Sequence, residues 1–128
     1  MKTLTLVIGA VYGVLSVILG AFGAHAFKKI LSPEKLESFE TGVRYQMYAA
    51  FFLLFVGYIL KFETKSENWI SWLMILGALL FSFSIYLLAF QDYWGTNLKF
   101  LGPITPIGGM LMIVSWVMLI FSFVKAKL

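Results

Sequence analysis

The chain has 128 residues, of which 61% are hydrophobic and only 12% are charged, so it has too little polar surface for an ordinary soluble domain. It has no cysteine and one histidine, which excludes a disulfide framework, a thiol nucleophile, and a zinc or iron–sulfur cluster built from this chain alone. Its formal charge of +4 is scattered between apolar runs, a pattern typical of membrane topology signals that makes a nucleic-acid partner unexpected.

Four nearly uncharged runs approach the roughly 17–25 residues that a helix needs to cross a bilayer. These runs lack the alternation of a transmembrane barrel, and only helices or closed barrels satisfy every backbone polar group in hydrocarbon. We therefore predict an all-α fold, a polytopic membrane four-helix bundle, as a single domain over residues 1–128. The predicted helices cover about residues 4–26, 33–61, 68–91 and 104–125.

The first apolar run is either a cleaved signal peptide or a retained membrane helix. Lys2, the apolar stretch after it and the small residues around His25 imitate the three parts of a cleaved signal peptide. Against cleavage, small residues recur along the run at steps of four, three, four and three, so they share one helical face that would pack closely on neighbours. We expect a retained helix that ends with His25 at the membrane boundary, the alternative being a chain that begins at Phe27. The members of this small-residue row are Gly9, Gly13, Ser16, Gly20 and Gly23.

The second helix is predicted to begin outside the hydrocarbon core. Ser32 supplies a capping hydroxyl, Pro33 fits the first turn because it has no amide to satisfy, and Glu34 suits the positive end of the helix dipole. A helix over residues 33–60 would be about 42 Å long, which exceeds the roughly 30 Å of hydrocarbon. We therefore predict an extended amphipathic start to this helix.

Charged residues near the membrane are candidates for a functional site, because ionisable groups are costly there. Glu40 precedes Arg44 by four residues, the better orientation for an intrahelical ion pair. One interpretation is a site for a headgroup, an anion or a proton, with His25 opposite. The other is structural: the pair fixes the tilt of the second helix while His25 caps the first.

Polar residues within the apolar runs also admit two interpretations. Tyr45 and Gln46 begin the apolar half of the second helix, and the third contains Ser82, Ser84 and Tyr86. These side chains either line a polar cavity or hydrogen-bond between helices.

The stretch "PITPIGG", residues 103–109, precedes the fourth helix. As an interrupted helix it would expose backbone groups for a ligand, with Thr105 adding a hydroxyl. As a simple helix start it would place Gly108 and Gly109 in close packing on the first helix.

Basic residues do not decide the membrane orientation, because five fall on each side. Four crossings put both termini on one side, for which we favour the cytoplasm. That side has Lys2, Lys61, Lys65, Lys125 and Lys127, and the other has Lys28, Lys29, Lys35, Arg44 and Lys99.

Four motifs in the same order resemble those of domain-of-unknown-function family 423. They are "LGAFGAH", "ETGVRYQMY", "LFSFSIYLLAF" and "PITPIGG". The resemblance covers nearly the whole chain and implies a small bacterial inner-membrane protein, related to the eukaryotic transmembrane protein 256, but it implies no reaction. Many members have a histidine three residues after the glutamine of "YQ", where Ala49 stands here, which weighs against that histidine as the basis of a family-wide chemistry.

Two functions compete at this point. The first is a non-catalytic structural, assembly or lipid-interacting membrane component, with membrane lipids and a second copy or another membrane protein as partners. The second is a small oligomeric transporter or channel with a polar site near the second helix and the proline–glycine break. No set of nucleophile, base and orienting group stands out, so we expect no enzyme activity, no cofactor and no metal.

Overall fold

The computed structural model describes residues 1–126 and is built from four long helices. They are α1 (Lys2–Ala24), α2 (Pro33–Ile59), α3 (Lys65–Trp94) and α4 (Ile104–Ala126), with short 3-10 turns at Phe27–Lys29 and Lys99–Leu101. Each long helix has the length and apolar composition to cross a membrane. The predicted all-α membrane bundle with an extended start to the second helix is confirmed. Lys127, counted above in the charge balance, lies outside the described residues.

Local capping explains where the helices begin. Ser32 Oγ accepts a hydrogen bond from the Lys35 amide, and Pro33 follows in the first turn of α2. Helix α3 begins three residues earlier than predicted, because Thr64 and Glu67 form a reciprocal capping box.

The helix ends also differ by a few residues from the predicted ones. Helix α3 extends to Trp94 and is capped by Gly95. The φ of Gly95 is 67°, in the left-handed region that glycine adopts without strain. Helix α2 ends at Ile59, where the Lys2 ammonium donates to the carbonyl oxygens of Tyr58 and Leu60 at 2.8 and 3.1 Å. A cation thus neutralises the negative end of α2.

Consecutive helices supply most of the packing: α1 packs on α2, α2 on α3, and α3 on α4. The small-residue row of α1 faces α2. A β-carbon at Gly9 would lie 3.1 Å from the Leu53 Cβ, and one at Gly23 would lie 3.3 Å from the Phe39 ring. The row therefore lets the two backbones approach within a single chain.

The closest helix crossing joins α3 to α4 at Gly77 and Gly108. A β-carbon added at Gly108 would overlap the backbone of Phe81, and one at Gly77 would lie 2.9 Å from the Gly108 carbonyl oxygen. Gly109 also faces the Phe81 ring. The predicted packing of Gly108 and Gly109 on the first helix is wrong: their partner is α3, because a short connection makes α3 and α4 antiparallel neighbours.

Helices that are not consecutive meet in the half of the bundle nearest the chain termini. There the hydroxyls of Thr5 on α1 and Ser71 on α3 hydrogen-bond at 2.5 Å. On the opposite side of the bundle, α2 meets α4 where the Phe52 and Trp116 rings pack edge to face, 4.5 Å apart. Towards the other end, gaps remain between α1 and α3 and between α2 and α4.

Candidate functional site

A cavity of about 490 Å³ lies between α1 and α3, with α2 as its floor. We call it the lateral cavity, because it opens sideways between two membrane helices. Its lining is almost entirely apolar and aromatic. The lining residues are Tyr12, Leu15, Leu19, Phe27, Phe39, Gln46, Ala78, Leu79, Ser82, Phe83, Tyr86, Leu87, Phe90 and Trp94.

The polar side chains of the lateral cavity are engaged in hydrogen bonds between helices. Gln46 on α2 donates to the Tyr12 carbonyl oxygen of α1 at 3.0 Å and accepts from the Tyr86 hydroxyl of α3 at 2.7 Å. The Tyr12 hydroxyl donates to the Ile75 carbonyl oxygen at 2.6 Å, and Ser82 Oγ donates to that of Gly42 at 2.7 Å. These hydrogen bonds join three helices around the cavity. Because the polar atoms are paired with one another, the surface of the cavity is formed almost entirely by carbon atoms.

An aromatic cluster lines the end of the lateral cavity that is nearest the α1–α2 connection. Phe27 packs edge to face on Phe39 and on Phe90, with ring centroids 5.2 and 4.9 Å apart. Phe90 in turn stacks on Trp94 at 5.4 Å. Trp94 is about half exposed, as expected for an aromatic residue at the membrane interface. The exposed Lys28 and Lys29 directly follow Phe27 in the same turn.

Two of the predicted site residues, Glu40 and Arg44, line one concavity together. It is a small pocket of about 210 Å³ beside Gly20 and Gly23. The Arg44 guanidinium donates to Thr41 Oγ1 at 3.1 Å, so the hydrogen bond that it makes runs to a hydroxyl and not to Glu40. His25 is exposed at the end of α1, where its own backbone amide donates to the Phe22 carbonyl oxygen, and it does not line that pocket.

The remaining predicted site residues are divided among different parts of the bundle. Gln46 lines the lateral cavity with Ser82 and Tyr86. Tyr45 points to the opposite side, into a cleft of about 440 Å³ between α2 and α4. Thr105 hydrogen-bonds the Ser84 hydroxyl and thereby ties the start of α4 to α3.

Sequence reasoning missed two residues that define the lateral cavity, Tyr12 and Phe27. Tyr12 lies beside the small-residue row, and a polar ring on a helix of glycines was a signal of a contact with a third helix. Phe27 stands outside the apolar runs, so periodicity gave no sign of its position. Buried hydroxyls that join helices were also missed; these are Thr5, Ser71 and Ser115.

The chemistry that this arrangement supports is binding of apolar groups. Across residues 1–126, no group of three or more histidine, cysteine, aspartate or glutamate residues is placed to hold a metal ion. A concave, mostly apolar surface with a few fixed polar groups is typical of small-molecule sites, which usually have volumes of about 300–1,000 Å³.

Fold and cavity together define a polytopic membrane protein with a laterally open apolar site. More particularly, the chain belongs to the family described as "Protein of unknown function (DUF423)", whose model matches residues 19–109. The match begins at the first of the four motifs and ends at the last, so the family resemblance seen in the sequence is confirmed.

The chain is similar along nearly its whole length to several bacterial membrane proteins. It is 42% identical to the UPF0382 membrane protein SH2409 of Staphylococcus haemolyticus, over 95% of this chain and 96% of that protein. It is 38% identical to the UPF0382 membrane protein YwdK of Bacillus subtilis, over 94% of this chain and 95% of that protein. No solved structure matches the chain significantly.

Proposed function

We propose that the protein is a non-catalytic lipid-binding component of the bacterial inner (plasma) membrane. In this proposal the lateral cavity holds the hydrocarbon chain of a lipid. The observation that carries it is an apolar cavity of about 490 Å³ that opens between α1 and α3, where lipid is the surrounding solvent.

Hydrogen bonding favours hydrocarbon over a polar occupant. A polar ligand gains from a site when it finds free donors or acceptors there, and leaving its own groups unpaired is costly. In the lateral cavity the side chains of Gln46, Ser82 and Tyr86 already have partners on neighbouring helices. An alkyl chain needs no partner and fills the cavity by dispersion contacts alone.

The same pairing makes a transporter or channel the weaker candidate. The Thr105 hydroxyl, at the proline–glycine break, is hydrogen-bonded to the Ser84 hydroxyl. The helix α4 begins at Ile104, so the stretch after Pro103 is already helical. Five polar residues that would line a path are thus used to join helices: Gln46, Ser82, Ser84, Tyr86 and Thr105. We also expect no catalysis, since Gln46 and Tyr86 hold each other and not a reacting group.

Partners other than lipid stay part of the proposal. The row from Gly9 to Gly23 is occupied by α2 of the same chain, so a second copy or another membrane protein would have to use a different face. Bacterial inner-membrane location is supported by the helical spans and by the bacterial membrane proteins to which the chain is similar. Cell fractionation that separates the membranes tests it.

Cavity filling tests the lipid-binding proposal directly. Leu79 lines the lateral cavity and is 47% exposed, so Leu79→Trp adds bulk there without disturbing the buried core. Leu76 lies on the same helix, is 43% exposed and does not line that cavity, so Leu76→Trp is the matched control.

The measurement is the lipid that remains bound when each variant is taken from membranes into mild detergent and analysed by native mass spectrometry. We expect wild type and Leu76→Trp to retain lipid and Leu79→Trp to lose it. Equal lipid retention by the two tryptophan variants would refute binding in this cavity.

A further inference from the structure

We infer that the occupant is an anionic glycerophospholipid, with one acyl chain in the lateral cavity and its phosphate at Lys28 and Lys29. This inference rests on the proposed function, and it adds the headgroup class, the site of the charge contact and the leaflet. The juxtaposition that points to it is the turn Phe27–Lys29, which places an aromatic ring in the cavity wall and two ammonium groups directly after it.

The depth of the cavity matches a lipid of one leaflet. Along α3 its lining extends from Ala78 to Trp94, roughly 24 Å at the helical rise of 1.5 Å per residue. Half of a bilayer, its interfacial region included, is about 20–22 Å thick. The cavity therefore extends from near the middle of the bilayer to the interface, where Trp94 lies, and a chain that fills it comes from the leaflet on the side of the α1–α2 connection.

Charge at the interfacial end favours an anionic headgroup. The connection between α1 and α2, residues 25–32, contains Lys28 and Lys29 and no acidic residue. Both lysines are exposed, so their ammonium groups are free to reach a phosphate. Glu34, the nearest acid along the chain, and Asp92 at the end of α3 are both exposed, and neither lines the cavity. Basic residues near a membrane surface attract anionic lipids, with each lysine adding to the affinity.

The aromatic cluster explains how the two parts of the site are kept together. Phe27 is held between Phe39 of α2 and Phe90 of α3, so the turn that carries Lys28 and Lys29 is fixed against the mouth of the cavity. In the inferred complex the phosphate lies beside this turn, where the acyl chain in the cavity joins its glycerol backbone.

Lipid competition tests this assignment. The purified full-length protein is placed in nanodiscs that contain equal amounts of phosphatidylglycerol and phosphatidylcholine with identical acyl chains, and the lipids retained after transfer to detergent are counted by native mass spectrometry. We expect wild type to retain phosphatidylglycerol over phosphatidylcholine by on the order of tenfold.

Three charge variants test whether Lys28 and Lys29 cause the preference for phosphatidylglycerol. Lys28→Gln/Lys29→Gln should reduce the ratio of retained phosphatidylglycerol to phosphatidylcholine to near one, because both ammonium groups are removed. Lys28→Arg/Lys29→Arg should restore it. Lys61→Gln/Lys65→Gln, which removes two exposed lysines at the other membrane face, is the matched control and should leave it unchanged.

Failure of the headgroup assignment and failure of lipid binding give different results. Equal retention of both lipids by wild type would overturn the assignment, and so would a preference that survives Lys28→Gln/Lys29→Gln or is lost equally in the Lys61 and Lys65 control. In those cases Leu79→Trp would still abolish retention of both lipids. If Leu79→Trp retains as much lipid as wild type, the cavity itself is not the binding site.

Discussion

Replacing Gly108 with alanine should separate α3 from α4, because the added methyl group meets backbone atoms that cannot rotate away. The new β-carbon would lie 2.7 Å from the Gly77 carbonyl oxygen and 2.9 Å from the Phe81 Cα, and would overlap the Phe81 amide nitrogen. The adjacent Gly109 is the matched control, since a β-carbon there would lie 3.4 Å from the Phe81 ring, an ordinary contact.

The comparison of the two variants isolates the cost of overpacking. Glycine to alanine raises helix propensity by about 0.8–1.0 kcal/mol in a helix interior, and this gain cancels between neighbouring positions of the same helix. Forcing an extra methyl group into a packed contact typically costs about 1–3 kcal/mol. We therefore expect Gly108→Ala to be less stable than Gly109→Ala by that amount.

Thermal unfolding in one detergent measures this difference. For a chain of this length, 1 kcal/mol corresponds to about 4 °C in Tm, so Gly108→Ala should melt roughly 4–12 °C below Gly109→Ala. Equal melting temperatures for the two alanine variants would show that α3 and α4 do not approach as closely as Gly77 and Gly108 indicate, and would refute the reasoning.

Three further outcomes are expected. Lys2→Met should lower the free energy of unfolding by about 0.3–1 kcal/mol in detergent melts, because it removes the cation at the end of α2, whereas the exposed Lys61→Met should change it little. Gln46→Leu and Tyr86→Phe should each destabilise the bundle, and a double-mutant cycle should give a coupling of about 0.6–1.7 kcal/mol; a coupling of zero would contradict the hydrogen bond between them. An intact mass of protein from native membranes should include the first helix, and a mass that starts at Phe27 would contradict its retention.

Composition and periodicity were sufficient to predict the fold, because hydrocarbon permits so few backbone arrangements. Four runs long enough to span a bilayer leave helices as the solution, and the cap at Ser32 and Pro33 located the start of α2. The earlier start of α3 was also readable, since Thr64 and Glu67 have the spacing of a capping box.

Which helices face each other was harder to predict than the helices themselves. A glycine row shows that a helix packs closely but does not name the partner, which is why Gly108 was assigned to the wrong helix. Gln46, Ser82 and Tyr86 line one cavity, but its surface is apolar and their side chains hydrogen-bond between helices, which is the structural one of the two interpretations drawn from the sequence. Tyr45 was placed with them although it follows a different face of α2, because positions one residue apart point about 100° from each other.

Assembly in the membrane is set by the order of helix contacts along the chain. Since the helices pack chiefly on their neighbours in the sequence, a hairpin can close as soon as its second helix is inserted, and local contacts of this kind form quickly. The hydrogen bond between the Thr5 and Ser71 hydroxyls can form only after α3 has been inserted, because Ser71 lies on α3. No residue of α4 lines the lateral cavity, so its lining is in place before α4 is inserted, and the proposed lipid would find it complete at that stage.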